Sequence, residues 1–284
     1  MAARPRTLPA AVAPVLVGTS LAIRYGTFHP LAFIAALLGA MAIQIGTNLS
    51  NDYSDARRGA DTDERIGPVR VTAGGLVPPR QVLIATYLTF GAAVLCGVYL
   101  IVIAGWALLA VGAASILAGV LYTGGPRPYG YEGLGEVFVF LFFGIVAVSG
   151  SYFVQRRALP WEAFVLAVPV GLLIAGILIV NNVRDIDTDR RAGKRTLAVR
   201  LGRERTRLLF TAIVAGAFLT SWVPWFAGAL SPWLLLTAAA APLAIGVVAT
   251  VRMHADGPSL NSALARSAKL ALFFCLLLCA GILA

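Results

Sequence analysis

Asn48, Asp52 and Asp55 are spaced four and three residues apart, so on a helix they share one face. Asn51 lies beside them, and Arg57, Arg58, Gly59 and Asp61 follow. The arrangement recurs further on. Asn181, Asp185 and Asp189 are four residues apart, again one face, with Asn182 adjacent and Asp187 pointing away. Arg190, Arg191, Gly193, Lys194 and Arg195 follow. Two stripes of asparagine, aspartate, aspartate, each trailed by paired arginines and a glycine, hint at a duplicated helical unit.

Carboxylates one turn apart repel by a few tenths of a kcal/mol, and at a helix C-terminus they also oppose the dipole. Two such stripes make sense if a divalent cation sits between them. Carboxylate and amide oxygens with no His or Cys nearby suit a hard ion, Mg2+ or Mn2+, which typically joins one or two carboxylates to a substrate phosphate. The neighbouring Arg and Lys side chains offer forked and point-charge partners for phosphate oxygens. Solvated loop charges paired with arginines would explain one stripe; two in the same order are better explained by a metal–phosphate site.

The elements that must carry these stripes are membrane helices. The 284-residue chain is 59% hydrophobic and 13% charged, with mean hydropathy +0.83, against roughly 25% charged in soluble domains. Apolar runs predict spans at 8–27, 31–50, 81–103, 105–122, 134–154, 161–182, 206–226, 230–251 and 267–284. The fold class expected is an all-α polytopic membrane protein, a bundle of nine transmembrane helices in one domain over 1–284. Helices 1–4 and 5–8 would be the duplicated halves, with a ninth added. Dividing the 82–121 run into two spans puts 20 of the 23 Lys and Arg residues on the side of the N-terminus, leaving Arg24, Arg156 and Arg157 opposite. That bias predicts a cytoplasmic N-terminus and an external C-terminus. The long loops between helices 2 and 3 and between helices 6 and 7 would form a charged cytoplasmic cap.

The net charge of +10 does not point to nucleic acid, because the basic residues sit in short loops where topology alone demands them. Cys96, Cys275 and Cys279 lie inside apolar runs and read as packing residues. The first apolar stretch, after Arg4-Pro5-Arg6, has no clear cleavage site and reads as the first helix. Only Lys194 and Lys269 are lysines, a bias that with abundant Ala and Gly suggests a GC-rich bacterial genome and hence the bacterial cytoplasmic membrane.

Asn51-Asp52-Tyr53-Ser54-Asp55 and Asp185-Ile186-Asp187-Thr188-Asp189 resemble the two aspartate-rich motifs of the membrane-bound, UbiA-type prenyltransferases, and the resemblance covers essentially the whole chain. Finer matches resemble the family's dihydroxynaphthoate branch. They are Arg4-Pro5-Arg6-Thr7-Leu8-Pro9, Gly59-x-Asp61, Ile66-Gly67-Pro68-Val69-Arg70, Tyr122 through Tyr131, Gly133-Leu134-Gly135-Glu136, and Asn181 through Ala198. Where the hydroxybenzoate branch usually has a third aspartate, this chain has Gly59.

The resemblance implies transfer of a polyprenyl group from its diphosphate to an electron-rich ring, here 1,4-dihydroxy-2-naphthoate, with loss of CO2 in menaquinone synthesis. It implies Asp52, Asp55, Asp185 and Asp189 at Mg2+, with Asn48 and Asn182 as oxygen ligands or orienters and Asn51 and Asn181 in substrate binding. Lys194, Arg70, Arg127 and Arg184 are candidates for the diphosphate or the acceptor carboxylate. Tyr122, Tyr129, Tyr131 and Phe138 could shield an allylic cation with their ring faces. Gly144, Gly150, Gly171 and Gly176 would let helices approach or leave room for the tail. Other acceptors (hydroxybenzoate, homogentisate, a tetrapyrrole, a glycerol lipid) are the near alternatives. An ion-coupled transporter is a distant one, since it would place acids at the membrane midplane.

Overall fold

Backbone amides in lipid find no water, so an apolar chain satisfies them within helices. The computed structural model describes residues 2–59 and 70–284; Asp61 and residues 66–69, singled out above, lie outside them. The main helices are α1 (Pro9–Arg24), α2 (Pro30–Arg57), α3 (Pro79–Ala104), α4 (Ala107–Leu121), α5 (Gly135–Arg156), α6 (Trp161–Arg191), α7 (Arg203–Phe226), α8 (Pro232–Met253) and α9 (Gly257–Leu283). There is no strand among the described residues. Seven of these helices are long and apolar enough to cross a membrane, while α1 and α4 are shorter, at 16 and 15 residues. The chain is a multi-pass helical membrane protein.

Several helices outrun the apolar stretches that announced them. α2 continues from residue 50 to Arg57 and α6 from residue 182 to Arg191, so both aspartate stripes are helical. α9 starts at Gly257, ten residues before its predicted span, because the Asp256 carboxylate caps it, accepting from the Ser259 amide at 2.8 Å. That bond holds the Asp256 carboxyl below its ordinary pKa. Hydropathy marks what lipid requires; capping and hydrogen bonding decide where a helix stops.

The main core joins α1, α5, α6, α7, α8 and α9, with Val17, Leu166, Val170, Phe210, Phe274 and Leu278 among its buried side chains. α5 and α6 cross closely. A β-carbon on Gly144 would lie 2.7 Å from the Gly171 α-carbon, and one on Gly171 would lie 2.8 Å from the Phe140 carbonyl oxygen. Only glycine fits there. The α5 backbone widens into a π-helical stretch at Phe140–Val146, beside this crossing. α2 packs on α3 and α4 as a second group, leaving a cavity between the two.

The end of the bundle away from the aspartates is also polar. Tyr25 donates to Glu162 at 2.9 Å, Gln155 accepts from the His29 amide, and Arg156 donates to the Tyr25 carbonyl. Burial, then the Glu162 bond, pushes the Tyr25 pKa up to about 12.

Candidate active site

The cavity has a volume of about 1440 Å³. Its polar end carries the ends of both stripes. The remainder is lined by apolar side chains from α2 to α6, Ile43, Val98, Ile116, Phe142 and Ile174 among them.

The first stripe comes from the last turns of α2. Asp52 and Asp55 are both 2% exposed. Asp52 accepts backbone amides on both oxygens, Thr72 at 2.9 Å and Val71 at 3.2 Å. Asp55 sits between Arg70, whose guanidinium is 2.9 Å away, and the Tyr131 hydroxyl, which donates at 2.5 Å. Asn51 accepts from Thr123 at 2.9 Å. Asn48 turns its amide nitrogen to the N-terminal segment, donating to the Ala3 carbonyl at 3.1 Å and the Thr7 hydroxyl at 3.0 Å. Gln44, one turn earlier, donates to the same hydroxyl. Asn48 thus anchors the segment that leads into α1, and Arg4 and Thr7 line the cavity beside it.

The second stripe comes from the end of α6. Arg184 clasps Asp185 through Nε at 2.7 Å and Nη2 at 2.6 Å, and also donates to Asn181 and to Asn261 of α9. The Asn182 amide donates to Glu136 at 2.8 Å. Asp189 is half-buried and lines the cavity, whereas Asp187 is exposed and pairs with Arg203. Lys194 lies over the Tyr131 ring, 4.9 Å from its centroid, at the same end of the cavity.

The aromatic group is assembled as a stack. Tyr122 meets Tyr129 edge-on at 5.5 Å, and Tyr129 stacks on Phe138 at 4.0 Å. Burial raises both phenol pKa values well above the ordinary range, and for Tyr122 the Glu136 carboxylate adds to it. Both stay protonated at neutral pH, and Tyr129 donates to the Ala118 carbonyl at 2.8 Å.

Of the residues that sequence assigned to metal, diphosphate or acceptor, Arg127 alone is exposed and absent from the cavity wall. Thr123, Glu136, Asn261 and the Val71 and Thr72 amides had been given no role. Glu136 lies in a motif already quoted, but nothing in its spacing names Asn182 as its partner. Among the described residues, no group of three or more His, Cys, Asp or Glu side chains could hold a metal by itself. Arg70 and Arg184 already hold one carboxylate of each stripe.

A helical membrane protein with a large cavity among its described residues, polar and charged at one end and apolar along the rest, suits an amphiphile with an anionic head. The chain belongs to the UbiA prenyltransferase family, whose profile matches residues 11–283. It is 44% identical to the 1,4-dihydroxy-2-naphthoate octaprenyltransferase of Mycobacterium tuberculosis, covering 99% of this chain and 95% of that one. It is 38% identical to the protein of that name from Escherichia coli, covering 98% and 92%. The fold is shared with a UbiA homologue from Aeropyrum pernix (TM-score 0.71, 16% identity, 96% of each chain). It is also shared with a UbiA homologue from Archaeoglobus fulgidus bound to DMAPP and Mg2+ (TM-score 0.65, 16% identity, 98% of each chain).

Proposed function

We propose that the protein transfers a polyprenyl group from its diphosphate to 1,4-dihydroxy-2-naphthoate, releasing diphosphate and CO2 and forming demethylmenaquinol for menaquinone synthesis. The observation that carries this is the cavity itself. Two aspartate stripes face it at one end and apolar side chains line the rest, in a chain 34–44% identical to relatives bearing that name.

In the reaction the allylic C–O bond breaks and its electron pair leaves with the diphosphate. The ring carbon bearing the carboxylate forms the new C–C bond. The carboxylate then departs as CO2 and its bonding pair restores the aromatic ring. The donor set fits Mg2+, with Mn2+ as a substitute: every candidate ligand atom is an oxygen, and an ion that shares its shell with phosphate needs only one or two carboxylates. When bound, such an ion neutralises charge on the leaving diphosphate. Asp52 and Asp55 on α2 and Asp185 and Asp189 on α6 are the residues we assign to it. Lys194, Arg70 and Arg184 meet the diphosphate oxygens, a preorganised electrostatic role. Asn48, Asn51 and Asn181 orient these groups, Asn182 serves in substrate binding beside them, and Tyr122, Tyr129, Tyr131 and Phe138 offer ring faces to the developing allylic cation and exclude water. Arg127, exposed outside the cavity wall, keeps its assignment to the diphosphate or the acceptor carboxylate.

The topology that accompanies this reading has nine spans, with α1 and α4 as short ones, in the bacterial cytoplasmic membrane. The N-terminus and the aspartate end face the cytoplasm under the 2–3 and 6–7 loops, and the C-terminus lies outside. Helices 1–4 and 5–8 are repeats of one unit.

The test is turnover by purified protein with Mg2+, geranylgeranyl diphosphate and 1,4-dihydroxy-2-naphthoate, scored as prenylated naphthoquinone and CO2. Product that disappears with chelator and in Asp52→Ala supports the reading. Prenylation of hydroxybenzoate but not of the naphthoate would move the acceptor and keep the transferase.

A further inference from the structure

Glu136 is a buried acid that the reaction above does not use. It stands in the first turn of α5, 6% exposed, with Oε1 accepting from Asn182 and Oε2 without a hydrogen-bond partner among the described residues. Unsatisfied buried polar atoms are rare in folded proteins, and each calls for a reason. An ordinary tie between α5 and α6 could be made by a neutral side chain at lower desolvation cost.

The neighbouring asparagines differ. Asn181 is consumed within its own stripe: its nitrogen faces Asp185 and its oxygen accepts from Arg184. Asn182 lines the cavity and spends only its nitrogen, on Glu136. A carboxylate accepts hydrogen bonds and does not donate them, so Glu136 allows one of the two orientations of the Asn182 amide. Among the described residues the amide oxygen is then left without a protein donor, one turn along α6 from Asp185 and close to the aromatic group. Gly135, in front of Glu136, packs so tightly that a β-carbon there would lie 3.3 Å from the Tyr122 ring.

We propose that Glu136 is a positioning residue: it fixes the Asn182 amide so that Oδ1 accepts a hydrogen bond from a hydroxyl of the ring being prenylated. The inference rests on the acceptor being a hydroxylated aromatic. Accepting that bond holds the ring over the allylic carbon and directs electron density into it, while the donor diphosphate is bound elsewhere.

The experiment removes the bond and then rebuilds it with reversed polarity in the full-length protein. Glu136→Leu, which cannot accept from Asn182, lowers kcat/KM for 1,4-dihydroxy-2-naphthoate roughly tenfold to a hundredfold and leaves KM for geranylgeranyl diphosphate unchanged. Asn182→Asp alone sets two carboxylates against each other and shows the same loss. The double variant E136Q/N182D recovers most of the activity, because the amide introduced on α5 donates to the carboxylate introduced on α6 and leaves its second oxygen for the ring. Glu136→Ala, which removes the constraint without offering a donor, repeats the acceptor-specific loss, and thermal unfolding of each variant identifies any that fails to fold. Full activity in folded E136L overturns the proposal. So does equal loss toward both substrates, or a folded double variant no better than N182D. Wild-type protein that ignores the naphthoate refutes the acceptor reading instead, and the same set of variants is then compared on the hydroxylated acceptor it does use.

Discussion

Arg70 reaches back fifteen residues to Asp55 and pairs with it at 2.9 Å, with both side chains almost wholly out of contact with solvent. Breaking a buried ion pair from one side leaves an uncompensated charge, at about 3–5 kcal/mol. Arg70→Ala is therefore expected to lower the thermal midpoint in detergent by several degrees. Arg70→Ala with Asp55→Asn should recover most of that stability and none of the turnover. Recovery of both would remove the pair from the reaction.

Asp52 and Asp187 separate function from mere acidity. Asp52 is held by two backbone amides inside the cavity, while Asp187 is exposed and paired with Arg203. Asp52→Asn should cost roughly 10²–10³ in kcat, and Asp187→Asn should leave turnover at the wild-type level. Both are read in the same transferase assay.

Sequence alone revealed the faces but not the closures. The four- and three-residue spacings of Asn48, Asp52 and Asp55 follow from helical periodicity, so their common face could be read directly. The clasp of Asn48 on Ala3 and Thr7, the bond from Asn182 to Glu136 and the reach of Arg184 to Asn261 join residues 41 to 77 positions apart. No local pattern encodes such pairings; packing creates them. Arg127 shows the converse: it lies in a motif-rich loop, yet it is exposed and outside the cavity wall, which its motif did not reveal. The helices α2, α6 and α9 were read short because hydropathy ends where lipid ends.

Tyr131 links the first stripe to the lysine that follows the second, donating to Asp55 while its ring lies under Lys194. Tyr131→Phe keeps the ring and removes the donor. We expect a fall in kcat/KM for the prenyl diphosphate of roughly tenfold, the worth of one hydrogen bond to a charged group. Tyr131→Ala should be worse. Steady-state kinetics with varied diphosphate checks both.

Gly112 and Gly150 line the apolar part of the cavity, and a β-carbon on either would meet nothing within 4 Å. Gly112→Leu or Gly150→Val should fold normally and occupy space meant for a tail. The ratio of kcat/KM for a short donor over a long one should rise. An unchanged ratio would place the tail elsewhere.

Tyr25 carries a pH dependence at the other end of the bundle. Its pKa is raised from 10.0 to about 12 in the folded protein. The folded state therefore holds the phenolic proton more tightly than the unfolded chain does, and the stabilisation is complete below pH 10. It is lost as pH rises from 10 to about 12. Tyr25→Phe should flatten that alkaline limb of a stability-versus-pH curve measured by thermal unfolding.

Val94 and Val98 of α3 and Leu109 of α4 border the cavity, and each has about half of its surface exposed. On the proposed function, a polyprenyl chain leaving sideways exchanges one oily environment for another. A chain leaving through the charged end would expose each methylene to water at about 0.8 kcal/mol. Product escape is then a matter of lateral diffusion, and the fluidity of the surrounding bilayer becomes a kinetic variable of the enzyme.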